Sequence, residues 1–350
     1  MVTRRSGGGR QRSTKDGPLA DSEVVRASSA AIPEAPASAL TTPPKDPVDV
    51  LYSDAPARIA VGDSVESTKD ALPTNAGDHR QTPYRADTVI DGWTNETFSL
   101  RAASVRGDSH RLAGVPREDD FGIGLHEETN SVVIAVADGV SSAPQSHIGA
   151  MTACRYAVDA VLRQLDGTGT VDLMEVARNA AWSLVDLAQR DGGLAEPDPK
   201  VALKHFATTL VVAWVRPADD GGMNVRSVLV GDSGIAKLTR SGVTRLAGGK
   251  PLDDNPDAVA SNVVIPLPII PEETAEEGWA LGPDDVFLVA TDGIWDPLGD
   301  ASGPLGRMLA GELLDSQPSL IQFARVVDFS KQYFVDDRTL VALWRVKTAT

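Results

Sequence analysis

The sequence predicts an α+β domain in which helices form a layer over a β-sheet. Short apolar runs rich in Val, Ile and Phe stop at Asp-Gly or Gly-Asp pairs, a pattern typical of buried strands that end at turns. Two amphipathic segments come after the strand at 132–137, and consecutive helices after a strand indicate a helical layer packed on the sheet. A chain of 350 residues allows one large domain or two.

The first 92 residues differ in composition from the rest. Prolines recur among Ala, Ser, Thr and Asp, large apolar residues are few, and no helical or strand period is sustained. Such a segment buries too little apolar surface to offset the entropy lost on ordering it. We therefore expect a disordered, dispensable tail over 1–92 and a folded domain over 93–350, with order beginning near Thr97.

The remaining elements follow from the periodicity of the apolar residues. A polar loop is predicted over 107–120, and a long irregular insertion, rich in Pro, Gly, Asp and Glu, over 247–284; long loops of this kind are often lids. Strands are predicted over 98–105, 121–125, 132–137, 206–215, 225–230, 235–238, 243–246, 286–291 and 339–346, and helices over 149–165, 171–189, 303–315 and 318–334.

Composition narrows the function classes. A formal net charge of −16 argues against a nucleic-acid-binding protein, since no basic surplus can neutralise phosphates. The single cysteine, Cys154, excludes an intramolecular disulfide and a cysteine-built metal site. No apolar run reaches the length of a membrane span, and the basic N-terminus lacks the apolar region of a secretory signal. We expect a cytoplasmic monomer.

Acidic residues stand at the ends of several predicted strands. Asp138, Asp232 and Asp292 each follow an apolar strand, and further acids precede two others: Glu118, Asp119, Asp336 and Asp337. Carboxylates that come together repel one another unless a proton or a cation lies between them. Oxygen ligands of this kind suit Mg²⁺ or Mn²⁺. A single Asp-Gly pair is more often only a turn, so the prediction depends on the whole set.

The ordered set of motifs resembles the metal-dependent protein phosphatase 2C family of serine/threonine phosphatases, in its bacterial form. The motifs are REDDFGIG (117–124), VVIAVADGV (132–140), FATTLVVA (206–213), VLVGDSG (228–234), LVATDGIWD (288–296) and DDRTLVAL (336–343). The resemblance covers residues 98–346. It implies a four-layer α-β-β-α sandwich of two antiparallel sheets, and hydrolysis of phosphoserine or phosphothreonine on a protein substrate, opposing a Ser/Thr kinase, by a metal-activated water.

The resemblance also implies a role for each acid. Two Mn²⁺ or Mg²⁺ ions are implied, with a third, weaker one in bacterial members. Asp138 would bridge two ions, helped by the Gly139 carbonyl. The other implied ligands are Asp292 and Asp336 at the first ion, Glu118 and Asp119 near the second, partly through water, and Asp232 at the third.

The sequence departs from the family at two positions that matter for catalysis. Val140 stands where animal members carry a histidine proposed as general acid, so a metal-bound water or His147 would protonate the leaving group. The phosphate-binding arginine is expected in the loop before the acidic pair, where Arg106, Arg111 and Arg117 all lie. Arg111 lies closest to the family's position once the longer loop is allowed for, and we expect it to bind phosphate.

Other functions fit single features. Ser233 in a GDSG sequence could be the nucleophile of a Ser-His-Asp hydrolase, although no other triad member is evident. A glycosidase is compatible with the presence of paired carboxylates, but no other feature supports it. A nucleotide-hydrolysing enzyme of the Walker A type is not supported, because the sequence lacks that motif. The alternative outside enzymes is a phosphatase-like domain that acts as a binding or sensing module. Complete loss of hydrolysis in EDTA would separate metal catalysis from the metal-free enzymes.

Overall fold

The computed structural model describes residues 58–63, 72, 85–250, 265–299 and 301–346, all in one compact unit, Ala55–Thr350. Most of the expected tail and residues 251–264 of the expected insertion lie outside the described residues. Within them, no helix is long and apolar enough to cross a membrane.

Two antiparallel sheets form the centre of the domain. The six-stranded sheet has the order β1-β2-β11-β10-β7-β8 and the five-stranded sheet the order β3-β4-β5-β6-β9. The strands are β1 Thr88–Thr94, β2 Phe98–Val105, β3 Asp120–His126, β4 Ser131–Ala137, β5 Leu210–Pro217, β6 Met223–Val230, β7 Gly234–Thr239, β8 Gly242–Gly248, β9 Glu277–Leu281, β10 Val286–Ala290 and β11 Arg338–Arg345.

Helices cover the outer face of each sheet. The helices of the described residues are α1 Asp108–Ala113, α2 Ser146–Thr168, α3 Leu173–Gly192, α4 Pro199–Phe206, α5 Asp292–Leu298, α6 Pro304–Leu313 and α7 Leu320–Val327. Helices α2, α3 and α4 pack on the five-stranded sheet, and α5, α6 and α7 pack on the six-stranded sheet.

The alternation of side chains along β4 shows how three apolar layers are built. Val132, Ile134 and Val136 face the other sheet and share a core with residues of β2, β10 and β11. Val133 and Ala135 point the opposite way, into the core formed with α2 and α3. Because successive side chains in a strand leave on opposite faces, one strand can serve both cores. The predicted four-layer α-β-β-α sandwich is confirmed.

The expectation that order begins near Thr97 is wrong. Strand β1 pairs along its whole length with β2, from Thr88 opposite Val105 to Thr94 opposite Ser99. Further upstream, Val61 is buried, and its backbone N–H donates to the carbonyl of Ser330 at 2.9 Å. The boundary expected at residue 92 therefore lies inside a paired strand, and residues 58–63 also belong to the packed unit.

Several short elements were not predicted, and tertiary contacts explain most of them. Helix α5 begins at Asp292, where a turn was expected, and β9 lies inside the expected insertion and pairs with β6 at the sheet edge. The loop expected over 107–120 contains α1. Helix α4 begins after Asp198, whose carboxylate accepts the N–H of Lys200 at 2.8 Å. Helix α7 ends at Val327, earlier than the predicted 334.

Candidate metal centre

The antiparallel connections bring strand ends from both sheets to one end of the sandwich. In the five-stranded sheet, Ala137 at the end of β4 pairs with Asp120 at the start of β3. In the six-stranded sheet, Ala290 at the end of β10 pairs with Leu340 near the start of β11 and with Gly234 at the start of β7. Acids that follow one strand thus lie beside acids that precede its neighbour, as the strand-end pattern requires.

Three of the predicted acids meet at this end. Carboxylate oxygens of Asp138, Asp232 and Asp292 all lie within 4.8 Å of one another, and each side chain is half-buried. A second group with the same spacing consists of His110, Asp336 and Asp337. The charge of Asp336 acts on Asp138, so the two groups are electrostatic neighbours. The sequence thus predicted that Asp138, Asp232 and Asp292 come together.

Two threonines of the FATT sequence fix the backbone of Asp138. Its N–H donates to Oγ1 of Thr209 at 2.9 Å, and its carbonyl accepts the N–H of Thr209 and the hydroxyl of Thr208, each at 2.8 Å. The Thr209 hydroxyl also lies 2.8 Å from that of Ser233, next to Asp232. The loops carrying Asp138 and Asp232 are therefore joined through one buried threonine.

The glycines of the two Asp-Gly pairs allow close approach of other backbone segments. A Cβ atom at Gly139 would lie 2.8 Å from Cβ of Ser146 and 2.9 Å from the carbonyl oxygen of Glu118. A Cβ atom at Gly293 would overlap the carbonyl oxygen of Asp337. Neither glycine has a positive φ. The absence of a side chain is therefore needed for the close approach of neighbouring segments, and not for a left-handed turn.

Burial and mutual repulsion perturb these acids. Burial raises the pKa of the Asp138 carboxyl well above its ordinary value, and the charges of Asp119, Asp292 and Asp336 raise it further. The pKa of Asp232 is raised by burial and by Asp292, and that of Asp336 by burial and then by Asp292. A divalent cation among these oxygens would relieve the repulsion, so the all-oxygen donor set fits Mg²⁺ or Mn²⁺.

The two acids before β3, Glu118 and Asp119, have different surroundings. Asp119 is buried, and Oδ2 accepts the hydroxyls of Thr291 and Thr339, both at 2.8 Å. Its carboxyl also contacts that of Asp138, and its pKa is raised by burial and by the charge of Asp337. Glu118 is 7 % exposed, and its Oε2 has no hydrogen-bond partner in the described part of the chain. Burial raises the Glu118 pKa to about 7, so this carboxyl has the capacity for one more ligand.

His110 lies beside these acids, and the sequence analysis did not include it among the candidate site residues. Its Nδ1 lies 2.9 Å from Oδ1 of Asp337, and its Nε2 lies 4.0 Å from Oε2 of Glu118. Burial lowers the pKa of the imidazole, but the adjacent carboxylate of Asp337 outweighs burial and raises the pKa to about 9. The position of His110 in the loop before Glu118 was the available signal.

Lys250 is the second missed residue, and it brings a positive charge among the acids. Its Nζ lies 2.8 Å from Oδ2 of Asp296, 3.1 Å from Oδ2 of Asp292 and 3.6 Å from Oδ2 of Asp232. Burial lowers the pKa of the ammonium, but the hydrogen bond to Asp296 and the charge of Asp292 outweigh it and raise the pKa above its ordinary value. Nothing in the sequence indicated this contact, because Lys250 lies in the expected insertion.

Comparison with known families agrees with this arrangement. The family model described as protein phosphatase 2C matches residues 106–330, more than half of the chain. The chain belongs to the protein phosphatase 2C family. No curated protein matches it.

Solved structures of similar fold include bacterial phosphatases of low sequence identity. The Mycobacterium tuberculosis serine/threonine phosphatase PstP/Ppp is 15% identical, with a TM-score of 0.47 over 71% of this chain and 98% of that one. The catalytic domain of PstP in complex with 2 manganese ions is 16% identical, with a TM-score of 0.46 over 71% and 99%. RsbX in complex with magnesium is 12% identical, with a TM-score of 0.44 over 74% and 100%.

In this protein phosphatase 2C domain, Arg111 contacts carboxylates of the surrounding structure. Its guanidinium lies 2.7 Å from Asp87, 3.2 Å from Asp328 and 3.5 Å from Asp108. It thereby joins the segment before β1, helix α1 and the end of α7. Phosphate binding by Arg111 stays a prediction, but these contacts favour a structural role.

A cleft of about 270 Å³ opens beside the acids of this phosphatase domain. Its lining includes Asp292 and Asp296 of α5 and three residues of the segment before β11, Tyr333, Phe334 and Asp336. Tyr333 is 85% exposed and has a φ of 70°, which is uncommon for a residue with a side chain. The cleft offers room for a side chain next to the carboxylates.

The features that favoured other chemistry do not form a second site. Ser233 is buried, and its hydroxyl pairs with that of Thr209, so no histidine activates it among the described residues. His147, the alternative proton donor, is buried in the first turn of α2 at 2% exposure. Cys154 is fully buried in the core between the five-stranded sheet and α2 and α3.

Proposed function

We propose that this protein phosphatase 2C domain hydrolyses phosphoserine and phosphothreonine monoesters on proteins, using two Mg²⁺ or Mn²⁺ ions. The observation that carries the proposal is the approach of Asp138, Asp232 and Asp292 to within 4.8 Å of one another at the junction of two sheets. When bound, the ions would lower the pKa of a water molecule and stabilise charge on the phosphoryl oxygens.

The residues of the chain have separate tasks in this proposal. Asp138, Asp292 and Asp336 would hold the ions, together with the Gly139 carbonyl and Glu118. Asp119 supports Asp138 through the contact of their carboxyls, and its two threonine hydroxyl donors fix its own position. We assign Asp119 to orienting Asp138 rather than to direct coordination.

A protonated side chain, as well as the metal ions, would contact the phosphoryl group. His110 lies beside Glu118 and Asp337, and its raised pKa keeps the imidazole protonated at neutral pH. A protonated imidazole can donate to a phosphoryl oxygen and reduce its charge. We therefore place His110 in the phosphate-binding role, in preference to Arg111, whose guanidinium already contacts three carboxylates.

The substrate would enter through the 270 Å³ cleft. A phosphorylated side chain reaching Asp292 and Asp336 passes the Tyr333 and Phe334 rim, which can pack against the flanking peptide. The −16 net charge of the whole chain does not prevent binding of a phosphopeptide, because bound cations invert the local field.

The direct test is hydrolysis of p-nitrophenyl phosphate and of a phosphothreonine peptide with Mn²⁺, with Mg²⁺ and with excess EDTA. We expect turnover with either ion and none in EDTA. Full activity in EDTA would contradict the metal-dependent reaction. Binding of Mn²⁺ without hydrolysis of either substrate would instead favour the binding or sensing module.

A further inference from the structure

Lys250 lies where a divalent cation could bind. Its ammonium nitrogen lies within 3.6 Å of three carboxylates from two parts of the chain, Asp232 after β6 and Asp292 and Asp296 of α5. The three carboxylate side chains are between 12% and 35% exposed. An ammonium with three donors can match three separated acceptors in this way.

The backbone around Lys250 is fastened to the same elements that carry the acids. The N–H of Gly249 donates to the carbonyl of Asp232 at 3.1 Å. Arg245 donates from Nη1 to the carbonyl of Lys250 at 3.3 Å and from Nη2 to the carbonyl of Trp295 at 2.9 Å. Lys250 is therefore held at the acids from both sides of its own backbone, unlike a surface lysine that only samples them.

The preceding glycines permit this path. Gly248 and Gly249 both have φ of 75°, a left-handed conformation that favours glycine. A Cβ atom at Gly248 would also overlap the carbonyl oxygen of Ser233. The chain thus leaves β8 by a turn that returns directly to the Gly231-Asp232-Ser233 loop.

An ammonium and a metal ion exclude each other at these oxygens. Mg²⁺ binds carboxylate oxygens at about 2.1 Å, whereas the Lys250 nitrogen lies 2.8 to 3.6 Å from them. An ion bound between Asp232 and Asp292 would therefore have to displace the lysine and accept the repulsion of its charge. Lys250 donates to Oδ2 of Asp292, so Oδ1 of Asp292 stays available to other ions, as do Asp138 and Asp336, which are outside the contacts of Lys250.

We propose that Lys250 is a built-in cation that takes the place of a third metal ion at Asp232, so that the domain binds about two ions rather than three. The inference rests on the proposed function, because it concerns the same metal centre. Asp232 then pairs with the ammonium of Lys250. This pairing replaces the binding of a third metal ion that the family resemblance implies for Asp232.

The test is calorimetric titration of the full chain with Mn²⁺, in the wild type and in Lys250→Met, after circular dichroism has shown that both are folded. We expect about two ions per chain in the wild type and about one more in the variant. Lys204→Met, which removes an exposed lysine of α4, is the control for the change in net charge and should behave as the wild type.

The double variant Lys250→Met with Asp232→Asn assigns the extra ion. It should return to the wild-type number of ions, because the acid that the lysine had neutralised is now absent. Equal titrations of the wild type and Lys250→Met, or three ions in the wild type, overturn the inference while leaving the proposed function in place. Absence of Mn²⁺ binding in every variant overturns both.

Discussion

Nδ1 of His110 lies 2.9 Å from Oδ1 of Asp337, and the same carboxylate accepts the backbone N–H groups of Gly107 and Glu118. The pair therefore ties helix α1 and the start of β3 to the start of β11. Burial opposes the Asp337 charge, but His110 outweighs it and lowers the Asp337 pKa.

The pair makes stability depend on pH. Because the folded pKa of His110 is raised from 6.5 to about 9, its stabilisation is complete below about pH 6.5 and is lost as the pH rises through about 9. Because the pKa of Asp337 is lowered from 3.8, its contribution is lost as the pH falls below that value. The contribution of the pair is thus largest between about pH 4 and 6.5, at no more than about 3 kcal/mol for His110.

Urea unfolding of His110→Gln and wild type in EDTA measures this effect. The difference in the free energy of unfolding should shrink between pH 6.5 and 9. His126→Gln is the matched control, since its partner Asp166 is 72% exposed and screened by solvent. A difference that does not change over this range would show that His110 does not titrate as described.

Substitution of the central acids should remove activity without unfolding the domain. Asp138→Asn and Asp292→Asn each take away a charge that holds the ions, and loss of several kcal/mol of transition-state stabilisation corresponds to a fall in kcat of about 10³-fold or more. Because repulsion raises the pKa of Asp138, metal-free Asp138→Asn should be at least as stable as the wild type. Asp159→Asn, an exposed acid of α2, should keep full activity.

We expect Thr209 to affect stability and Mn²⁺ binding through its hydrogen bond with the backbone of Asp138. Thr209→Val keeps the shape of the side chain but leaves the Asp138 N–H without its acceptor and ends the contact with Ser233. We expect a loss of about 1–3 kcal/mol in the free energy of unfolding and weaker Mn²⁺ binding. Thr239→Val, which removes a hydroxyl in the β7–β8 turn, should change neither quantity. Unchanged Mn²⁺ affinity in Thr209→Val would mean that Asp138 is oriented by other contacts.

The start of the folded unit can be located by truncation. A chain beginning at residue 55 keeps Arg58, which lies 2.9 Å from Asp108, and the buried Val61. It should melt with the full chain. A chain beginning at residue 93 loses these contacts and most of β1, so we expect a lower melting temperature by about 10 °C or more, or insolubility. Equal melting of the two truncated chains would restore the boundary expected from composition.

Arg111 offers a direct comparison between a structural and a phosphate-binding role. Arg111→Met removes its ion pairs with Asp87 and Asp328, which should cost about 1–3 kcal/mol of stability. Inhibition of p-nitrophenyl phosphate hydrolysis by inorganic phosphate should stay as in the wild type, whereas His110→Gln should weaken it. The reverse result, in which only Arg111→Met loses inhibition by phosphate, would assign phosphate binding to Arg111.

The sequence by itself determined the sandwich and the core of the site. A continuous apolar strand such as β4, SVVIAVA, is expected to be buried on both faces, and this requires a layer on each side of its sheet. The acids at the strand ends could be predicted to meet because antiparallel pairing places the end of one strand beside the start of the next. Asp138, Asp232 and Asp292 each follow an apolar strand, which is the local pattern that predicted them, and the structure brings their carboxylates together.

Only the tertiary structure decided which charged groups accompany them. His110 and Lys250 reach the acids from a short helix and from a glycine turn, and neither position has a periodicity that sequence reasoning can use. The paired strand β1 and the buried Val61 were missed because their apolar residues are few. Strand β1 is ordered by pairing with the next strand, β2, and Val61 by Ser330, which lies more than two hundred residues away. For His110, Lys250 and Val61, contacts between residues distant in sequence set these positions, so composition within a window could not reveal them.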